Sequence, residues 1–469
     1  MANVVVIGAG PTGLVTAMLL AKRGMQVIVL DRDGPAPESV ERVWDSWERR
    51  SVAQFHQVHL LQPAGRAMLE EHLPLVIDEL TKAGAVWFNA CKCYAQLLPG
   101  GVGEFDYSPF ETLTTCRRPV LEFGFLAAAS STPGVVIRND SVVTELVTGP
   151  SVLADVPHVV GVKLKSGETV QADLVVDAGG RRTPVPALIE AAGGRRPEEK
   201  VEDIGFAYNT RYYRGPSRPE IRGDMLASVG SFSVLTMPGD QGYWSVTIYH
   251  SPADKAMRKV RDSQVFDRVV RSMPLHAHWV DGEAMSEVVS MASTANTTRQ
   301  FVIEGRPCAT GIVPIGDAWG FTNPSIGRGI TLGLKHATSL APIIADNVER
   351  PEVLALAWDR ETQSGAVPWH DATVQFDRIR GPEVEAYRQG LPDPFADNPQ
   401  VKGSRAFGSA SHYDQQVNLW QGELGSCYSL PMEVLSREGV LERAMAVASE
   451  NPPYKTPGPD RAQLEVLLT

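Results

Sequence analysis

Nowhere do the 469 residues run through the ~18–20 uninterrupted apolar positions that a membrane-crossing helix needs, so no membrane span is expected. The apolar opening from Ala2 to Leu30 lacks the early positive charges of an export signal, and Gly8, Gly10 and Gly13 interrupt it. Basic residues are outnumbered, 44 against 55 acidic, for a net charge of −11. That balance argues against nucleic acid or anionic lipid as the main partner. Cysteine is scarce and odd in number, at five, which fits free thiols in a reducing cytosol better than a disulfide framework. A cytoplasmic protein is therefore expected. The HExxH pattern is absent, and His56 and His59 have no third ligand close in sequence, so no metal is expected. Repeats and low-complexity tracts are missing too.

What remains is ordinary globular material, 43% apolar and 21% charged, about three times the length of a ~150-residue domain. Its most informative segment is the first. Val4 to Ile7 is a short β-branched run suited to a buried parallel strand. Gly8-Ala9-Gly10-Pro11-Thr12-Gly13 follows, then a helical stretch from Leu14 to Arg23, a stop at Gly24, a second strand from Val27 to Leu30, and Asp31. This is a complete dinucleotide-binding constellation. Gly8 permits the tight turn, Gly10 lets the backbone approach a pyrophosphate, and Gly13 lets helix and strand pack closely. The helix entry at Pro11 and Thr12 offers free N–H groups and a positive dipole end, and Asp31 can accept from a ribose hydroxyl. The motif alone leaves NAD and FAD both open.

Two further strand-and-glycine units lie far downstream. Asp173 to Gly180 ends a strand in Gly179-Gly180, followed by Arg181, Arg182 and Thr183. Ile312 to Ile315 runs into Gly316-Asp317, and Asn323-Pro324-Ser325-Ile326-Gly327-Arg328-Gly329 then opens a helix through Ala337. Three such units, with no second GxGxxG, are what a discontinuous nucleotide domain leaves in a sequence.

Together these motifs resemble the FAD-dependent monooxygenases related to p-hydroxybenzoate hydroxylase, over roughly Val4 to Ala337. Within that superfamily they look most similar to the bacterial branch that includes polyether-type epoxidases. The resemblance implies FAD as cofactor, with Asp317 accepting from a ribitol hydroxyl and Gly327 and Gly329 letting flavin and substrate approach the backbone. The helix after Pro324 would aim its N-terminus at the flavin's pyrimidine edge. The segment Trp47 to Leu61 is similar to the branch's Arg-x-Gly-Val-Pro-Gln-x-x-His-x-His-x-Leu, with Arg49, Val52, Gln54, His59 and Leu61 matching. Arg49 would then lie against the pyrophosphate. Arg118-Pro119-Val120-Leu121-Glu122 is similar to a helix start whose arginine lies near the flavin. Gly179 and Pro186 depart from the aspartate and arginine of the commoner second motif. That leaves open whether NAD(P)H reduces the flavin directly or a separate flavin reductase does.

The resemblance further implies an α/β fold: a three-layer, discontinuous Rossmann-like FAD domain, an inserted, mainly antiparallel β-sheet substrate domain, and a helical C-terminal region. The FAD domain is expected from residues 1–80, 116–200 and 301–345, the substrate sheet from 81–115 and 201–300, and the helical region from 346–469. Alternation from Gly205 to Tyr213, Phe232 to Met237 and Tyr243 to Tyr249 supports that sheet, and Val86 to Leu98 reads as a further strand carrying Cys91 and Cys93 on one face. His59, Phe206, Tyr208, Phe232 and Trp244 are the expected substrate lining. Candidate helices are Leu340 to Asn347 and Pro431 to Ala448, and Asp377, Arg380 and Glu383 read as a solvated face.

The function implied is insertion of one oxygen atom from dioxygen into a small apolar or aromatic molecule, by epoxidation or hydroxylation through a flavin hydroperoxide, in secondary metabolism. The alternatives are an FAD-dependent reductase of isoprenoid or polyene double bonds, a halogenase (though its WxWxIP signature is missing), or a flavoprotein without turnover. No protein side chain is singled out as catalytic.

Overall fold

The computed structural model describes residues 2–292 and 295–469. Residues 293 and 294, inside the expected segment 201–300, lie outside the described residues, as does residue 1.

The β-branched runs form one five-stranded parallel sheet, ordered Ile312–Pro314, Leu174–Asp177, Asn3–Ile7, Gln26–Leu30 and Val135–Arg138. Alternation sorts its side chains between two cores. Val4, Val6, Val27, Val29, Leu174 and Val176 face the helices Pro11–Ala21, Arg118–Ser130 and Gly329–Asn347. Val5, Ile7, Leu30 and Val175 face a three-stranded antiparallel sheet of Val143–Leu153, Val156–Leu164 and Thr169–Gln171. Three layers result, a helix layer on one side and a sheet on the other. The antiparallel layer is a finding beyond the motifs.

The inserted sheet has six antiparallel strands. Leu226–Val229, Phe232–Pro238, Tyr243–His250 and Ala207–Arg214 pair in that order, and Glu283–Ala284 and Val289–Met291 both pair with the last. Its period-2 pattern again decides which side chains face where. Phe232, Val234, Trp244, Val246 and Tyr213 pack against the helix Ser263–Arg271 and the final helix Arg461–Leu467. Residues of the opposite parity on those strands (Leu235, Met237, Thr247, Tyr249, Tyr208) face a cavity.

Four expectations need correction. Val86 to Leu98 is strand only over Val86–Phe88; Asn89 then caps a helix, Ala90–Ala95, its side chain accepting from the Lys92 N–H at 2.9 Å. Cys91 and Cys93 therefore sit two apart on a helix and do not share a face; only Cys91 is buried. The helix opening at Gly329 does not stop at Ala337 but continues to Asn347 through Pro342. Pro431 to Ala448 is broken into Pro431–Leu435 and Val440–Glu450, because Gly439 adopts a left-handed conformation at φ +79°. Among the described residues no helix is long and apolar enough to cross a membrane.

Candidate active site

The register of the parallel sheet gathers the three glycine turns. Ile7 is level with Asp177, and Asp177 with Pro314, so Gly8, Gly179 and Gly316 emerge side by side at the carboxyl ends of adjacent strands. Ligands of open α/β sheets bind at this edge. Gly8 adopts φ +103°, and a Cβ there would lie 2.5 Å from the Ala178 carbonyl oxygen. At Gly13 a Cβ would lie 2.1 Å from the Gly8 carbonyl oxygen. These two glycines serve the fold. Gly10 and Gly329 differ, because a Cβ on either would meet nothing within 4 Å. Both border a cavity of about 1140 Å³.

Two helices point their N-termini into that cavity, Pro11–Ala21 and Gly329–Asn347. Neither has a side-chain cap or an acidic residue in its first turn. Uncapped N–H groups and a positive dipole end favour an anion by about 0.3–1 kcal/mol per helix, more when partly buried. Open space at Gly10 beside an unneutralised helix end fits a pyrophosphate, and the second helix end fits an electron-rich ring edge.

Along one wall runs a buried ionic chain. Asp31 accepts from the Ala9 N–H at 2.6 Å, from the Asp33 N–H at 2.8 Å and from Arg49 at 2.5 Å. Arg49 also donates to the Ala9 carbonyl at 2.9 Å and to Glu122 at 2.6 Å. Glu122, only 1% exposed, accepts from Arg118 at 2.5 Å, and Arg118 donates to His59 Nε2 at 2.6 Å. Burial, with Arg118 beside it, holds His59 well below its usual pKa. The neutral ring then accepts at Nε2 and donates from Nδ1 to the Gln57 carbonyl at 3.0 Å.

The second and third turns are tied together by Arg299, a residue no sequence pattern marks. It donates to the carbonyls of Arg181 at 3.0 Å, Asp317 at 3.3 Å and Ala318 at 2.9 Å, and pairs with Glu199 at 2.8 Å. Burial raises the Asp317 carboxyl above its ordinary range, against the pull of Arg181, Arg118 and Arg299. Thr183 donates to Asp177 at 2.8 Å, as does the Gly179 N–H at 2.9 Å. Burial still pushes Asp177 up to about 6.

Asp377 overturns another expectation. It is fully buried, not solvated, because its helix Val367–Gln389 packs on the loop that carries Pro324 and Gly327. It accepts from Ser325 at 2.7 Å and Asn296 at 3.3 Å, and Asn323 lies at 3.5 Å. Asn323 in turn accepts from the Tyr208 hydroxyl at 2.8 Å.

All the residues expected to hold FAD (Gly8, Gly10, Pro11, Thr12, Gly13, Asp31, Arg49, Arg118, Asp317, Pro324, Gly327, Gly329) border the one cavity. Of the expected substrate lining, His59 and Tyr208 border it. Phe232 and Trp244 do not: strand alternation turns them to the opposite face of the sheet. Phe206 packs edge-on against Tyr249, 5.3 Å between centroids, and does not border the cavity. The C-terminal region supplies lining the sequence did not mark, including Phe376, Ser411 and His412.

A sheet-edge dinucleotide cradle that shares its cavity with an antiparallel sheet is the fold of the FAD-dependent monooxygenases. Residues 1–364 match the family described as FAD binding domain, and the chain belongs to it; it is an FAD-dependent oxidoreductase of the monooxygenase superfamily. It is 28% identical to Protein Rv3254 of Mycobacterium tuberculosis over 390 residues, covering 78% of each chain. It is 22% identical over 363 residues to 6-methylpretetramide 4-monooxygenase of Streptomyces rimosus, covering 75% of this chain and 77% of that one. Its fold matches that of PqsL from P. aeruginosa, solved in complex with 2-aminobenzoylacetate, with a TM-score of 0.61 at 15% identity over 83% of this chain and 98% of the other. The superfamily read from the motifs is thus established, without support for the polyether-epoxidase branch in particular.

Proposed function

We propose that this chain is a monooxygenase that inserts one oxygen atom from dioxygen into a lipophilic small molecule, by hydroxylation or epoxidation. The observation that carries this reading is the single cavity, bordered at one side by the FAD turns and at the other by the apolar sheet face. Its volume exceeds the roughly 300–1,000 Å³ of a site for one small molecule.

Bound FAD, once reduced, supplies the oxygen-activating chemistry. The protein's own part is position, charge and dryness. Gly10 and the Pro11–Ala21 helix end would receive the pyrophosphate, Asp31 the adenosine ribose, and Asp317 a ribitol hydroxyl. The Gly329–Asn347 helix end would stabilise negative charge on the ring. Leu235, Met237 and Tyr249 would hold the substrate against it and keep water out. Electrons would come from NAD(P)H, directly or through a separate flavin reductase. The five free cysteines, none of them exposed, suit a reducing cytoplasm.

The test is to reduce the holoenzyme anaerobically and admit labelled dioxygen with a panel of phenols and alkenes. One labelled oxygen atom in a product, in proportion to flavin reoxidised, is expected. Reoxidation without oxygenated product from any member would count against the reading.

A further inference from the structure

The buried aspartates among the described residues are satisfied. Asp240 accepts from Arg117 at 3.0 Å, Asp254 from Arg461 at 3.3 Å, and Asp177 and Asp377 from the groups described above. Asp224 is placed differently, with its side chain 24% exposed at the cavity edge. It borders the cavity, and among the described residues the only polar side chain paired with its carboxylate is His412, Nε2 to Oδ2 at 3.4 Å. The fold holds His412 through its ring as well. Its ring stacks flat on Tyr454, 3.5 Å between centroids and 8° between planes.

Both groups stand on a rigid mount. The Asp224 carbonyl accepts from His276 Nε2 at 2.7 Å, and the next N–H, that of Met225, donates to the Tyr94 hydroxyl oxygen at 2.7 Å. The Tyr454 N–H donates to Ser409 Oγ at 2.8 Å, which pins the stacking ring to the helix Pro399–Ala410 just before His412. The surrounding wall is apolar, with Met225, Leu226, Leu235, Met237 and Leu275 bordering the same space. A carboxylate and an imidazole, each 24% exposed and held stiffly side by side on an otherwise apolar wall, are placed to meet a polar group of a ligand in the cavity. Such pairs mark functional sites.

We propose that Asp224 and His412 are the substrate's polar anchor, holding the ionisable hydroxyl of a phenol or enol and taking its proton. The inference rests on the monooxygenase reading for its role in turnover and on geometry for the binding itself. The step conserves atoms and charge. The substrate O–H bond breaks, the proton goes to the Asp224–His412 pair, the electron pair stays on the substrate oxygen, and nothing is oxidised. The pair passes from a net charge of −1 to 0 as the substrate passes from 0 to −1. An ionised hydroxyl feeds electron density into its ring, which the pair supports by retaining the proton.

The local charges suit this direction. Burial pushes Asp224 up to about 7 and His412 down to about 4, so near neutrality the pair alternates between one proton and none. Facing it are Tyr94 from the helix Ala90–Ala95, Tyr454, His276, and Arg222 on the same wall. Arg222 pairs with Glu220 at 3.0 Å. Arg222 is half exposed and its charge is balanced by Glu220, so it favours neither state of the pair.

Binding of 4-nitrophenol, 4-nitro-1-naphthol and alizarin to the oxidised holoenzyme, without electron donor, tests the proposal. Each is compared with its O-methyl ether, and the phenolate band is followed one pH unit below the free phenol's pKa. At least one phenol should bind as phenolate, about 10- to 100-fold tighter than its ether. Asp224→Asn and His412→Phe should each lose that preference while keeping FAD and the flavin spectrum, which shows them folded. Equal binding of phenol and ether, no binding of any phenol, or an undiminished phenolate band in both variants would overturn it. Because no oxygen transfer is read, a chain that ionises phenols but oxygenates nothing would sink the monooxygenase reading and leave the anchor standing.

Discussion

A Gly10→Leu variant should fold normally and purify without flavin. Gly10 has φ −79°, open to any residue, and no atom of the protein lies within 4 Å of where its Cβ would sit. The backbone therefore has no steric need for glycine there. The need comes from the space in front, where the branched side chain would fill the place proposed for the pyrophosphate. Wild-type protein should carry about one FAD per chain by absorbance after denaturation, and the variant close to none, with circular dichroism and thermal midpoint near those of the wild-type apoprotein. Gly13→Ala makes the contrast. Its Cβ would lie 2.1 Å from the Gly8 carbonyl oxygen, so it should lose stability as well as flavin, by about 1–3 kcal/mol or more. A Gly10→Leu protein that kept its FAD would refute the cradle.

Removing Glu122 should be the most destabilising single change along the cavity wall. Its carboxylate joins Arg49 to Arg118, and all three side chains are at most 9% exposed. Glu122→Ala would leave two guanidiniums facing each other in a buried place, with Asp31 and Asp33 the carboxylates still facing Arg49. Breaking a buried pair in this way costs about 3–5 kcal/mol, and here one deletion breaks two. Urea unfolding of the apoprotein should show a loss of that size, and Glu122→Gln, which keeps the shape, should recover part of it. A loss below about 1 kcal/mol would mean that the chain of charges is solvated in solution. The same substitution should release His59, whose ring nitrogen is held by Arg118.

How far the sequence foretold this site depended on the range of the signal. The edge where the glycine turns meet is legible in sequence because each of its parts is local: a glycine pattern, a β-branched run before it, a helix after it. Those parts needed only the parallel register to bring 8, 179 and 316 together. Arg299 escaped notice because its partners, the carbonyls of 181, 317 and 318, are backbone atoms of distant turns, and backbone atoms leave no trace in sequence. Asp377 departs from its expected exposure for a related reason. A charge grouped with Arg380 and Glu383 looks solvated until Ser325, Asn296 and Asn323 arrive from elsewhere to satisfy it. Phe232 and Trp244 failed by one residue. Alternation announces that a strand has two faces but not which one meets the cavity, and here the aromatic face is the core. Val86 to Leu98 shows that a short apolar run does not separate strand from helix; the Asn89 cap decides it. Asp224 and His412 are 188 positions apart, and only the return of the C-terminal helices over the sheet makes them a pair.

The proposed function needs one cavity to serve cofactor and substrate together. A crystal structure of the holoenzyme tests it most directly. FAD should lie with its pyrophosphate over Gly10, its ribityl chain beside Asp317 and its ring at the N-terminus of the Gly329–Asn347 helix, facing Tyr249 and Met237 across open space. FAD bound with its ring turned away from the sheet, or outside the cavity altogether, would contradict it.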